Sequence, residues 1–185
     1  EIITAMNNNR KDSTIIFFEF LRFCLKEDGT EPQSLKDMDW DALYDFGRKQ
    51  AILGVLFHGI KRLSSSEFRP DRKQILKWYA ACSFIEQANR QAYKDASDLT
   101  KLMRDKFGVR SCVLKGQTNA LMYPDPYMRT SGDIDLWTDA KTIDIIRISR
   151  QLDKKGEIGY HHIELSYYKT PVEVHFFPSF MGNIW

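Results

Sequence analysis

The stretch Arg129-Thr-Ser-Gly-Asp-Ile-Asp-Leu-Trp137 carries two aspartates at alternate positions of a segment with strand character. Successive side chains of a strand point to opposite faces, so Asp133 and Asp135 share one face while the apolar residues beside them face a core. Two carboxylates fixed in this way can hold divalent cations. An edge strand with an acidic, solvent-exposed face would show the same pattern. The pair therefore does not define a metal site by itself, and its meaning depends on the residues that accompany it.

A third carboxylate follows the same alternation in Pro171-Val-Glu-Val-His-Phe176, where Glu173 and His175 share one face. If this strand lies beside the first, Glu173 joins Asp133 and Asp135 in one cluster. Three acids that converge without a cation would repel one another strongly, so the cluster predicts bound divalent cations. His175 is expected at the rim of this site.

Two further histidines, His161 and His162, invite a metal-binding interpretation. Adjacent residues of a strand point to opposite faces, so these two are not expected to ligate one ion together. For them and for His175, ordinary hydrogen-bonded packing is favoured over a catalytic or metal-binding role.

Upstream of the aspartates lies a segment with the features of a phosphate-binding turn. In Val113-Leu-Lys-Gly-Gln-Thr118 an expected strand runs into a glycine and then into an expected helix. Free N–H groups at a helix N-terminus favour anions, Lys115 adds a point charge, and Arg129 adds a forked donor for triphosphate oxygens. Gly132 lets a bulky substrate approach the backbone. A plain strand-to-helix turn would have the same sequence around Lys115.

Helical patterns dominate the first hundred or so residues, and short strand patterns begin after Gly108. The predicted elements are helices over residues 14–26, 40–49, 51–63 and 70–106, a strand over 109–114, a helix over 116–123, a strand over 133–138, a helix over 140–152, and a hairpin of strands 163–168 and 172–177. The expected helix caps are Asp12, Ser13, Asp39 and Asp139. A break is expected near Gly47. The chain is thus predicted to have a helical region over residues 1–107 and an α/β core over residues 108–185.

The long predicted helix carries one apolar seam, with alternating steps of three and four residues. Its members are Ile75, Trp78, Cys82, Ile85, Asn89, Ala92, Ala96, Leu99 and Met103. A homo-oligomer built on a coiled coil, or a partner of the helical region, would use such a seam. Packing against the other N-terminal helices is favoured.

The bulk composition limits the partners of the chain. Its 27 basic and 25 acidic residues give a net charge of +2, which disfavours long nucleic acid. The apolar runs fall far short of the ~20 residues that span a bilayer, and no signal peptide is recognisable, so no membrane association is expected. Three widely spaced cysteines, Cys24, Cys82 and Cys112, are expected to be buried and reduced in a cytoplasmic protein.

The ordered set of motifs resembles the uncharacterised bacterial nucleotidyltransferases of the DNA polymerase β-like nucleotidyltransferase superfamily. The motifs are Leu114-Lys-Gly116, Tyr123-Pro-Asp-Pro126, Arg129, Asp133-Ile-Asp-Leu136, His161-His162 and Val172-Glu-Val-His175. The likeness covers roughly residues 110–177, and a looser one exists at Gly54-Val-Leu-Phe-His-Gly59. The set is far more specific than any one of its members.

The resemblance implies an α+β fold, a polymerase β-like palm with a small mixed sheet and helices, preceded by the helical region. It implies Asp133, Asp135 and Glu173 as the catalytic and metal-binding acids for two Mg²⁺ or Mn²⁺ ions. The implied nucleotide-binding residues are Lys115, Gly116, Gln117, Thr118, Arg129, Ser131 and Gly132. Gln117 replaces the usual serine after the glycine, so a hydroxyl contact to phosphate is expected from Thr118. The short interval over residues 156–161 is typical of a compact member or of a missing loop.

The expected activity is the transfer of a nucleoside monophosphate from an NTP, ATP by default, to a hydroxyl acceptor, with release of pyrophosphate. The acceptor stays open, and a small molecule or a protein is favoured over long nucleic acid. Two other classes of function also stay open. One is a non-catalytic nucleotide-binding or partner-binding module, such as a toxin–antitoxin component. The other is a metal-dependent phosphohydrolase or nuclease that uses the same three acids.

Overall fold

The computed structural model describes residues 2–178, with side chains from residue 13 onward. Its α-helices are α1 (Ile2–Leu25), α2 (Trp40–Lys49), α3 (Leu53–Arg62), α4 (Arg72–Phe107), α5 (Gln117–Ala120) and α6 (Thr142–Leu152). Its strands are β1 (Ser111–Val113), β2 (Ile134–Thr138), β3 (His162–Leu165) and β4 (Val172–His175), and two 3-10 helices cover Gln33–Asp37 and Pro126–Met128. The predicted α+β class is therefore confirmed.

The chain forms two compact units that interleave along the sequence. The first comprises Glu1–Glu86 and Met122–Thr130, and the second comprises Gln87–Leu121 and Ser131–Trp185. Helix α4 thus contributes residues to both units. A domain boundary near residue 108 stays a prediction, because compact units need not be separately folding domains.

In the first unit, helices α1, α2 and α3 build a core around Phe20, Leu43 and Leu56, none of which is measurably exposed. Asp39 caps α2 as predicted, since its carboxylate accepts hydrogen bonds from the backbone N–H groups of residues 41 and 42. Gly47 does not break the helix. A Cβ at this position would press against the side chain of Leu56, so Gly47 serves close helix packing instead.

Two other predictions about the first unit are wrong. Helix α1 begins at Ile2, so Asp12 and Ser13 lie inside it and do not cap its start. The helix preference of single polar residues is weak and gives way to its surroundings. The break between α2 and α3 falls at residues 50–52, where Ala51 adopts a φ of +57°.

In the second unit, the strands form one sheet in the order β1-β2-β4-β3. Strands β2 and β4 are parallel, and the other two pairs are antiparallel, including the predicted β3–β4 hairpin. One face of the sheet is apolar and joins a core with the second half of α4 and with α6. That core includes Leu99, Met103, Ile134, Leu136, Ile145, Ile163, Val172 and Val174. The opposite face is left for polar side chains.

The seam of α4 is buried within the chain at most of its positions. Trp78 and Cys82 belong to the core of the first unit, and Ala96, Leu99 and Met103 belong to the core of the second. The favoured packing against the N-terminal helices is confirmed for Trp78 and Cys82, whereas Ala96, Leu99 and Met103 pack against the sheet and α6 instead. None of the helices in residues 2–178 is long and apolar enough to cross a lipid bilayer.

Residues 156–161 form a compact connection between α6 and β3. Gly156 lies so close to the backbone of Glu164 that a Cβ there would overlap its carbonyl oxygen. Ile158 makes an isolated β-bridge with Ile163, and the N–H of Gly159 donates to the carbonyl of His162 at 2.8 Å. The connection therefore pairs with the start of β3 and extends the sheet by a short stretch.

Three local predictions about the second unit need correction. Asp139 does not cap α6, which begins at Thr142; its carboxylate instead accepts from the backbone N and the Nε of Arg110, at 3.1 and 2.7 Å. Asp139 thus bonds to a residue that is distant in the sequence instead of to the N-terminus of α6. Helix α5 ends at Ala120 and is only four residues long. Cys112 is exposed, whereas Cys24 and Cys82 are buried as predicted.

Candidate active site

The polar face of the sheet carries carboxylates and imidazoles from three of its strands. Asp135 on β2 pairs in register with Glu173 on β4, and Glu173 pairs with Glu164 on β3. One level along, Trp137 pairs with His175, and His175 pairs with His162. Because cross-strand partners lie on the same face, three acids and two imidazoles are brought side by side by backbone pairing alone.

Asp135 is the most deeply buried of the acids, with 2% of its surface exposed. Its Oδ1 lies 2.9 Å from the Nε2 of His175 and 3.1 Å from the Nζ of Lys115. A buried carboxylate is costly unless it is paired in this way. The hydrogen bond to Asp135 raises the pKa of Lys115, and the negative charges of Asp133 and Glu173 raise it further. The pKa of Lys115 is therefore raised by all three predicted acids.

His175 lies between the two acids of the sheet. Its Nε2 is 3.4 Å from Oε2 of Glu173 as well as 2.9 Å from Asp135, and the residue is 5% exposed. The structure thus places it inside the cluster, whereas the sequence suggested the rim. One ligand atom from each of Asp135, Glu173 and His175 lies within 4.8 Å of the others, which is close enough for a common cation.

Asp133 stands just before β2 and is half-buried. It is not among the groups that share that 4.8 Å cluster in the described part of the chain. Asp133 lies one residue outside β2, so the alternation of that strand does not fix its direction. Its negative charge contributes to the raised pKa of Lys115, the lysine that contacts Asp135. The structure therefore joins two of the three predicted acids directly, and the direction of the third stays a prediction.

The predicted phosphate-binding turn follows β1. Gly116 has a φ of +68°, a backbone conformation that favours glycine, and it directly precedes α5. The side chain of Gln117 is buried, and neither of its polar atoms has a hydrogen-bond partner among the described residues. Thr118 is exposed, and its hydroxyl donates to the carbonyl of Val113 at 3.3 Å. The side chain of Lys115 is 61% exposed to solvent, although its Nζ contacts the buried Asp135.

The remaining predicted residues precede β2. Gly132 is exposed, and open space surrounds the position that a Cβ would take. The Oγ of Ser131 lies 3.5 Å from the carbonyl oxygen of Gly132. Arg129 belongs to the first unit, so its contact with a triphosphate stays a prediction.

A second convergence of side chains involves His161 and His162. The Nδ1 of His162 lies 3.1 Å from the Nε2 of His161 and 3.4 Å from Oε2 of Glu173. The expectation that neighbouring histidines would point to opposite faces is wrong here, because β3 begins at His162 and His161 lies outside its regular alternation. The pattern of strand residues held no signal for this convergence.

The sequence profile of a family described as uncharacterised nucleotidyltransferase matches residues 36–179. The chain belongs to this nucleotidyltransferase family. No curated protein and no solved structure matches it.

Proposed function

We propose that the chain is a metal-dependent nucleotidyltransferase with a polymerase β-like palm, which moves a nucleoside monophosphate from an NTP to a hydroxyl acceptor. The observation that carries the proposal is the register of two parallel strands, which sets the buried Asp135 opposite Glu173 with Asp133 just upstream. In a member of a nucleotidyltransferase family, this arrangement supports Asp133, Asp135 and Glu173 as the acids that hold the cations.

The donor set fits Mg²⁺ or Mn²⁺, which prefer carboxylate oxygens. Lys115 and His175 face Asp135 within hydrogen-bonding distance, and bound cations would add positive charge beside the three acids. Two divalent cations, when bound, would neutralise the triphosphate and polarise the acceptor hydroxyl. Residues of the chain then supply position and charge, which is most of what phosphoryl transfer requires.

In this proposal Lys115 contacts the triphosphate directly. Its side chain is largely exposed, so it can leave Asp135 for a phosphate oxygen at small cost, whereas the buried His175 stays with the two acids. Gly116 opens the following turn to close approach of the triphosphate. We extend the phosphate contacts to the backbone of Gln117 and to Thr118, whose exposed hydroxyl can exchange the Val113 carbonyl for a phosphate oxygen.

The other proposed nucleotide contacts lie on the segment before β2, at Arg129, Ser131 and Gly132. In the transfer itself, the acceptor oxygen bonds to the α-phosphorus as the bond from that phosphorus to the bridging oxygen breaks. The hydroxyl proton passes to solvent and pyrophosphate leaves. His175 acts as a positioning residue in this scheme, because its Nε2 contacts both Asp135 and Glu173.

The substrate is proposed to be ATP or another NTP. The near-neutral net charge of +2 supports a small-molecule or protein hydroxyl as the acceptor over long nucleic acid, whose phosphates demand a strongly basic surface.

Label transfer from each of the four α-labelled NTPs, with Mg²⁺ or Mn²⁺, tests the proposal. Candidate acceptors are a small-molecule panel and the chain itself. Asp135→Asn keeps the shape of the side chain but removes its charge, so we expect activity to fall by at least about 100-fold. The matched control is Asp139→Asn, which alters an exposed acid just past the other end of β2 and should retain activity. Equal activity in Asp135→Asn and the unaltered chain would contradict the assignment.

A thermal-shift panel with the four NTPs, read together with the label-transfer assay, distinguishes nucleotidyl transfer from the two alternative functions. One NTP should raise the unfolding temperature only when a divalent cation is present, by an amount set by its concentration relative to its Kd. Release of inorganic phosphate in place of transferred label would instead identify a phosphohydrolase. Stabilisation by NTP without any turnover across the acceptor panel would identify a nucleotide-binding module.

A further inference from the structure

Three metal-ligating atoms converge at the edge of the sheet beside the proposed catalytic acids. They are Nε2 of His161, Nδ1 of His162 and a carboxylate oxygen of Glu173, and all lie within 4.8 Å of one another. The three residues are half-buried. Two of the three ligands are ring nitrogens, which makes this group chemically different from the carboxylate-rich group around Asp135.

The spacing of the three atoms fits a tetrahedral ion. With metal–nitrogen and metal–oxygen bonds of about 2.0–2.1 Å, neighbouring ligands of a tetrahedral site stand about 3.3 Å apart. The two shortest separations here are 3.1 Å between the histidine nitrogens and 3.4 Å from His162 to Glu173. Two of the three separations therefore match those that one small cation requires, and the third, between His161 and Glu173, is within 4.8 Å.

The second nitrogen of His162 indicates how the ring is oriented. Its Nε2 lies 3.7 Å from Oε1 of Glu164, the acid opposite Glu173 in the hairpin. An N–H on Nε2 faces this carboxylate favourably, and that tautomer turns the lone pair of Nδ1 toward His161 and Glu173. When His161 likewise carries its proton on Nδ1, three electron-rich atoms lie together. A single proton can then bridge two of them, whereas a metal ion can bind all three.

The backbone around the histidines holds this geometry in place. Gly159 lies against the His162 ring, where an added Cβ would stand 3.1 Å from Nε2. The carbonyl of His161 accepts a hydrogen bond of 2.8 Å from the N–H of Phe176, which ties the residue to the end of β4. A backbone contact thus restrains each residue: Gly159 lies against the ring of His162, and Phe176 binds the carbonyl of His161.

We propose that His161, His162 and Glu173 bind one transition-metal cation of the Zn²⁺ or Co²⁺ type, with a fourth position open to water. Imidazole nitrogens favour such cations over Mg²⁺, which prefers an all-oxygen octahedral shell. Three protein ligands with an open position are typical of zinc sites that act on a ligand. The site shares Glu173 with the proposed nucleotidyl-transfer centre, but binding of the cation does not depend on that activity.

Direct binding of Zn²⁺ and Co²⁺ to the chelator-treated chain, in excess Mg²⁺ and without nucleotide, tests this inference. We expect one Zn²⁺ per chain by calorimetry and a Co²⁺ complex with the intense visible absorption of tetrahedral coordination. His161→Ala and His162→Gln should each weaken Zn²⁺ binding by about 10- to 100-fold or more. Glu173→Gln should weaken it as well, while Asp135→Asn should leave it unchanged.

The matched control is His58→Gln, which alters a histidine on α3 in the first unit, outside both histidine-containing clusters. It should bind Zn²⁺ like the unaltered chain. A second measurement needs no substitution: on addition of Zn²⁺, the ring resonances of His161 and His162 should shift in NMR spectra while those of His58 stay in place. Absence of Zn²⁺ binding, or unchanged affinity in both His161→Ala and His162→Gln, would overturn the proposal. Neither result bears on nucleotidyl transfer, which the label assay tests separately.

Discussion

Asp95 on α4 holds the segment that leads into β4, and its removal tests how Glu173 is positioned. The carboxylate is 4% exposed. Its Oδ2 accepts hydrogen bonds from the backbone N and the Oγ1 of Thr170, at 3.0 and 2.9 Å. Pro171, the next residue, accepts from the N–H of Ile134 at 2.9 Å, where β4 begins to pair with β2. We expect Asp95 to fix the start of the strand that carries Glu173.

The magnitude follows from these two hydrogen bonds and from a third, in which the Nε2 of Gln91 donates to Oδ1 of Asp95 at 2.7 Å. A hydrogen bond to a charged acceptor contributes about 1.5–3 kcal/mol, and a buried donor left without a partner costs about 1–3 kcal/mol. Thr170 is 8% exposed, so water can reach its donors only in part. We therefore expect Asp95→Ala to lower the free energy of unfolding by about 3 kcal/mol. For a chain of this length, that corresponds to a fall of about 6–12 °C in Tm. Thr170→Val removes the hydroxyl alone and should cost about 1.5 kcal/mol.

Urea unfolding followed by circular dichroism measures these changes. Because both variants remove the same contact, the double variant should lose clearly less than the sum of the two single losses. Asp105→Asn is the matched control: it alters an exposed acid of the same helix, paired with Arg104 at the surface, and should not change stability. A loss below about 1 kcal/mol in Asp95→Ala would refute the reasoning, because the buried donors would then have found other partners.

Two further predictions concern glycines and thiols. Gly54→Ala should destabilise the chain by about 1–3 kcal/mol, since a Cβ there would overlap the backbone of Met128, whereas Gly132→Ala, with open space around it, should leave the urea midpoint unchanged. Equal midpoints for the two variants would contradict this packing. Iodoacetamide should modify one thiol per native chain, and Cys112→Ser should abolish the modification. The reason is that Cys112 is exposed, while burial protects the other two thiols and raises their pKa to about 12. A mass spectrum with two labels before unfolding would count against this assignment.

The sequence predicted best where a local repeat decides the structure. Helix α2 occupies the predicted residues 40–49, and the Asp39 cap is present, because capping depends on atoms within one turn. The β3–β4 hairpin was also predicted from strand patterns around a proline-containing turn.

Prediction failed where a distant partner competes with a local one. Asp139 had the sequence context of a helix cap, yet it pairs with Arg110, a residue 29 positions away in the chain. The hydrogen bonds of Asp95 with Thr170 span 75 positions and left no periodic signal at all. Such contacts depend on which elements pack together, and single-chain periodicity does not encode that choice.

The directions of Asp135 and Glu173 were predictable for a physical reason that does not extend to His161. On β2 and β4 the residues that alternate with the acids are Ile134, Leu136, Val172 and Val174, and each is at most 1% exposed. A slip of one residue in either strand would turn a carboxylate into the apolar core and move this apolar set to the polar face, so the core fixes which way Asp135 and Glu173 point. His161 lies just outside β3, where no buried neighbour of alternating pattern constrains it. Its ring is placed by the compact turn before it and by the end of β4. A site built on strand interiors can therefore be inferred from sequence, whereas a ligand added at a strand end requires the structure.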